Sequence, residues 1–117
     1  GSEALMQKKG LREKDIDHAY IAGAFGNYLN PENAKTIGLI PDIPTEKITF
    51  AGNTALAGAK MALTSRTIRE LADRLSKQIK YVELMVEESF KPEFIASMLL
   101  PHKDLNKYPS VKRYFKD

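Results

Sequence analysis

The feature that most constrains this chain is a device used twice. Tyr20-Ile21-Ala22-Gly23 returns as Thr49-Phe50-Ala51-Gly52, 29 residues later. Each is a short apolar run that ends in Ala-Gly and leads through a turn bearing glycine or asparagine into helix-like sequence. Between them, Asn30-Pro31-Glu32 marks a helix start. The asparagine side chain accepts from an orphan backbone N–H, proline has no N–H to waste, and glutamate suits the positive helix end. Two strands joined through a helix run parallel, so their carboxyl ends share one edge of the sheet. Strands are expected near 19–22 and 48–51; the first is apolar throughout, which suits a strand covered on both faces, as parallel strands are, and the second is expected to be buried too.

The remaining elements follow from local signals. Glu3 to Lys9 reads as a helix stopped by Gly10, and "LREKDID" delivers the chain to the first strand. Gly38 ends the helix begun at Asn30, and "LIPDIPTEK" returns as a loop. Gly52-Asn53-Thr54 opens a helix of small residues in which Gly58 implies a close approach of backbone or ligand. From Thr64 to Lys80, Ile68, Leu71, Ala72, Leu75 and Ile79 form one stripe at helical spacing. There Thr67 and Glu70 have capping-box spacing, while Glu70–Arg74 and Asp73–Lys77 are i,i+4 pairs. "YVELMV" is expected as a third strand near 81–85, and Pro92 as the start of a helix with Phe94, Ile95, Met98 and Leu99 facing inward. Met61, Met85 and Met98 fit core positions. The fold class is α/β, a small, mostly parallel sheet of about three strands in a three-layer arrangement with flanking helices.

Composition excludes several functions. The chain of 117 residues has no cysteine, which removes disulfides, thiolate metal sites and iron–sulfur clusters from it. His18 and His102 are isolated in sequence, read as surface or turn histidines, and make no metal site. A net charge of +3, scattered over both ends, is no nucleic-acid footprint. No run approaches a membrane span, and cytoplasmic residence is the expectation. Gly1-Ser2 reads as a cloning scar, 3–102 as one subdomain, and 103–117 as a tail whose Leu105, Tyr108, Val111 and Tyr114 could dock on the body or on a partner.

Candidate site residues are Gly23, Ala24, Phe25, Gly26 and Asn27 on the first turn and Gly52, Asn53 and Thr54 on the second. Ligands of open α/β sheets bind at the carboxyl edge of the strands, often near a helix N-terminus. G-x-x-G at Gly23 and Gly26 is neither the dinucleotide fingerprint nor a phosphate loop, so a tight turn without ligand is an equal reading of the spacing. No catalytic constellation is visible, and Asp15, Asp17, Asp42 and Glu46 read as solvated or capping residues.

"YIAGAFGNYLNPENAKTIGLIPD", "ITFAGNTALAGAKMAL" and "YVEL" together resemble, over roughly residues 10 to 112, the C-terminal part of the ATP-dependent reductive activators of corrinoid proteins. The large domain of that family belongs to the acetate and sugar kinase/Hsp70/actin superfamily. The resemblance implies a subdomain of an actin/Hsp70-like fold, in a parent that couples ATP hydrolysis to return of Co(II) corrinoid to Co(I). It implies that Gly23–Asn27 is an adenosine motif and that Gly52–Ala59 packs beside the same crevice. ATP with Mg²⁺, an iron–sulfur domain elsewhere in the parent and a corrinoid protein of a methyltransferase system are the implied cofactors and partners. The superfamily's phosphate hairpins and metal-positioning carboxylate have no match here. The chain is therefore expected to be an excised piece with half a nucleotide site and no activity alone. A protein-docking module, or a purely structural subdomain, is the alternative.

Overall fold

The computed structural model describes residues 1–23 and 28–115. In chain order they form α1 (Ser2–Lys9), β1 (Ala19–Ala22), α2 (Pro31–Thr36), β2 (Ile48–Gly52), α3 (Thr54–Thr64), α4 (Arg66–Gln78) and α5 (Phe90–Ala96), with short 3-10 turns between. Contacts divide the chain into one unit of Gly1–Tyr20, Leu29–Thr49 and Glu83–Asp117, and a second of Ile21–Tyr28 and Phe50–Val82.

Most helix ends lie where local chemistry puts them. Gly10 closes α1 in the left-handed region at φ 66°, a conformation that costs glycine nothing. The Asn30 side chain accepts from Asn33 N at 3.0 Å with Pro31 next in line. Asn53 caps α3 by accepting from Leu56 N at 3.0 Å. On α4 the cap is Ser65, whose hydroxyl accepts from Ile68 N, and not Thr67. Glu70 pairs backwards with Arg66 at 3.0 Å rather than with Arg74, whereas the expected Asp73–Lys77 pair forms at 2.7 Å.

β1 and β2 are paired and parallel, as the helical crossover requires. His18 Nε2 meets Thr49 Oγ1 at 2.7 Å at the start of the pair, and Gly23 N–H donates to Gly52 O at 2.8 Å at its end. Among the described residues the sheet has these two strands only. The expected third strand does not form: residues 79–83 carry no sheet pairing, and Leu84–Val86 is a 3-10 turn. β-prone sequence becomes a strand only where a neighbour supplies N–H and C=O groups to pair with. Nor are β1 and β2 covered on both faces. Ala19, Ile21, Ile48 and Phe50 are half-buried, while Tyr20, Ala22, Thr49 and Ala51 are exposed.

The first unit holds the buried core, which includes Ala4, Met6, Ala34, Ile43, Pro101, Tyr108 and Val111. The last segment thus docks on the body through Tyr108 and Val111, while Tyr114 stays exposed. His102 is buried, not superficial: it stacks near Tyr108 and its Nε2 lies 3.2 Å from Glu93 Oε2. Lys107 Nζ donates to Glu93 Oε1 at 2.7 Å and to Glu3 Oε2 at 3.2 Å, tying α1, α5 and the C-terminal segment together. Gln7 adds a further bond to Glu93 at 3.0 Å. Lys35 is buried as well, held by Glu32 Oε1 at 2.8 Å and Thr45 Oγ1 at 3.1 Å.

Several expected core residues are exposed. Phe94, Ile95, Met98 and Leu99 do not face inward, and α5 ends at Ala96, before the last two. Met61 and Met85 are exposed too. A Cβ added at Gly58 would meet nothing within 4 Å, so neither backbone nor side chain crowds it.

Two predictions test this packing. A Cβ at Gly38 would fall 2.2 Å from Pro101 O at a φ of +72°, so Gly38→Ala is expected to lower stability by about 2 kcal/mol or more, read as a fall in urea midpoint. The second concerns Glu93. Burial pushes its carboxyl up, but hydrogen bonds from Lys107, Gln7 and His102 outweigh that and hold it below the ordinary 4.5. A lowered carboxylate contributes stability above its unfolded value and loses it as pH falls through the lowered one. Glu93→Gln is therefore expected to cost about 1–2 kcal/mol at pH 7. The gap in urea midpoint should close as pH drops from 4.5 through that lowered value; a gap unchanged at pH 3 would contradict this assignment.

Candidate functional site

The site is built from backbone. β1 and β2 stop side by side, and each stops in a glycine with positive φ, 108° at Gly23 and 63° at Gly52. Any other residue would be strained in these conformations. They turn the chain at the same edge, and neither places a side chain of its own there. A Cβ at Gly23 would meet nothing within 4 Å. The Gly23 N–H is used by Gly52 O, which fixes the spacing of the two turns. Asn53 and Thr54 then start α3, with Asn53 committed to capping. Among the described residues, the structure therefore brings Gly23, Gly52, Asn53 and Thr54 together at one edge. Ala24, Phe25, Gly26 and Asn27 lie outside the described residues.

Such an edge can accept a flat, uncharged group against glycine backbone and direct helix N–H groups at an electronegative atom. Among the described residues this edge carries no titratable side chain. His18 belongs to the opposite end of the strand pair, where its ring packs against Tyr20 at 4.7 Å between centroids. Among the described residues no three of His, Asp and Glu gather at metal-binding distances, and no helix is long and apolar enough to cross a membrane.

A cavity of about 690 Å³ opens in the first unit, and sequence reading did not single it out. Glu3, Met6, Leu11, Lys14, Asp42 and Lys107 are among its lining residues. Burial, and then a hydrogen bond with Glu13, push the Glu3 carboxyl up. Most of the charged groups around it already have partners. Lys107 is held by Glu3 and Glu93, Lys47 by Ile16 O at 2.6 Å, and Asp42 accepts from the Ser110 backbone and hydroxyl. It includes none of the glycine-turn residues, and its polar groups serve the fold. The bonds across it span up to 104 positions, which is why no local motif announces them.

Comparison with known proteins places the chain among relatives of one kind. The family described as "C-terminal domain of RACo the ASKHA domain" matches residues 1–112. The chain is 30% identical over 95 residues to "Corrinoid activation enzyme RamQ" of Eubacterium limosum, covering 81% of this chain and 16% of that protein. It is 31% identical over 85 residues to "[Co(II) methylated amine-specific corrinoid protein] reductase" of Methanosarcina barkeri, covering 73% and 16%. A solved structure, "Reductive activator for corrinoid,iron-sulfur protein", superposes with a TM-score of 0.89 at 40% identity, covering 95% of this chain and 18% of that one. The chain spans about a sixth of the length of the curated relatives it matches, 16% in each case. By the extent and order of the match, the chain belongs to the family of RACo C-terminal ASKHA domains.

Proposed function

We propose that this chain is part of an ATP-dependent reductive activator of corrinoid proteins and supplies the adenosine side of its nucleotide cleft. The observation that carries the reading is the pair of positive-φ glycines, Gly23 and Gly52, held at one edge of a parallel strand pair by the Gly23–Gly52 hydrogen bond. Gly23 to Asn27 would lie against base and ribose, and Gly52, Asn53 and Thr54 would complete the platform at the start of α3. Phosphate and Mg²⁺ contacts would come from other parts of the parent chain. In the parent, ATP hydrolysis would drive one-electron return of a corrinoid from Co(II) to Co(I), with electrons arriving through an iron–sulfur domain. The corrinoid protein and the remaining domains of the parent are then the partners. The names of the matched relatives support this reading.

Backbone amide shifts test it. ADP is expected to move Gly23, Ala24, Phe25, Gly26, Gly52 and Asn53 first. Dissociation should be millimolar, about −4 kcal/mol, because the charge-assisted phosphate contacts that strengthen nucleotide binding are missing. Gly26→Val should abolish those shifts while the remaining spectrum stays folded. Shifts confined to Lys112–Lys116, or none at several millimolar ADP, would instead make the glycines turn and packing residues. With half a site, the 117-residue chain should release phosphate from ATP at background rate; release above background from protein freed of contaminating ATPases would contradict the division of labour.

A further inference from the structure

The second unit contains an amphipathic helix whose apolar side is largely uncovered beyond its first turn. In α4, Ile68, Leu71, Ala72, Leu75 and Ile79 occupy an arc of about 100°, the width of a stripe that normally faces a core. Ile68 is half-buried, yet no residue of α3 or α4 is fully buried, and Leu71, Leu75 and Ile79 are 40%, 49% and 77% exposed. The opposite side of α4 is self-sufficient, with Arg66–Glu70 and Asp73–Lys77 paired. Arg69 donates to Ala62 O at 2.7 Å on one flank of the stripe. Arg74, on the other flank, is without a partner among the described residues.

We propose that this stripe is an internal docking face, covered in the full-length protein by an apolar ridge from the chain that precedes this segment, with a carboxylate set against Arg74. The proposal rests on the reading of this chain as part of a longer activator. Three observations select that occupant. The matched family is a C-terminal domain, and the relatives carry about five-sixths of their length outside the match, 16% of each being covered. A similar backbone, at a TM-score of 0.89, occurs within a solved chain of which the match makes up 18%, so this fold occurs where other chain can cover it. Finally, arginines on both flanks oppose pairing with a second copy, which would bring like charges together, and favour an acid-rimmed partner.

The absence of cysteine makes the test direct. Leu75→Cys places a thiol on the stripe and Lys77→Cys places one on the opposite side. Each is put into the 117-residue chain and into the full-length protein that carries it, and labelling rates are read site by site by peptide mass. In the 117-residue chain both sites should label at similar rates, independent of protein concentration. In the full-length protein, position 75 should slow on the order of 100-fold relative to 77, because labelling then needs local opening. A double variant with Arg74→Glu should recover part of that rate. Equal labelling at 75 and 77 in the full-length protein would overturn the proposal. So would protection that grows with concentration in the 117-residue chain, which means a second copy, or protection that appears only when corrinoid protein is added. Failure of ADP to shift the glycine turns would leave this outcome untouched, so the two readings fail separately.

Discussion

The parallel pairing of β1 and β2 is the constraint on which the site depends. It takes two glycine turns, 29 residues apart in sequence, and sets them together through the Gly23–Gly52 hydrogen bond of 2.8 Å. A hairpin would have put the two turns at opposite ends of the pair. The crossover between the strands, with α2 started by Asn30 and Pro31, is what makes the pair parallel. Positive φ at both strand ends then favours glycine at each turn. Topology and glycine therefore act together, and neither alone would set two glycine turns side by side.

Signals within a few residues of each other were legible in the sequence. Gly10, Asn30 with Pro31, and Asn53 each act through bonds that span four residues or fewer, so their chemistry is complete in a short window. The parallel pair was legible because the repeat and the intervening helix start jointly dictate it. Ser65 was missed as the α4 cap because Thr67 offered the same hydroxyl chemistry two residues on. The edge residues Gly23, Gly52, Asn53 and Thr54 could be named from the sequence, but their φ angles and their common edge needed the structure.

What stayed hidden depends on partners far away in sequence. Lys107 finds Glu3 across 104 positions and Glu93 across 14; no window contains all three. His102 looked like an isolated histidine because its carboxylate partner sits a helix away. The rule that apolar residues lie inside failed in a patterned way, at Met61, Leu71, Leu75, Ile79, Met85, Phe94 and Met98. Periodicity identifies a face that needs covering, but not whether the cover belongs to the same stretch of chain. The third strand failed for the same reason, since extended sequence at 81–83 needs a neighbour to pair with. The matched relatives carry this domain as 16% of a longer chain, a context in which such faces can be covered.

The central claim is that both glycine turns face one adenosine. Intermolecular nuclear Overhauser effects from the adenine H8 and ribose H1′ of ADP test it most directly, because they report proximity rather than a general response to ligand. The account predicts effects to the amides of both Gly23 and Gly52 in the same bound state. Effects to neither turn, or only to residues of the first unit's cavity such as Lys14 and Lys107, would contradict it.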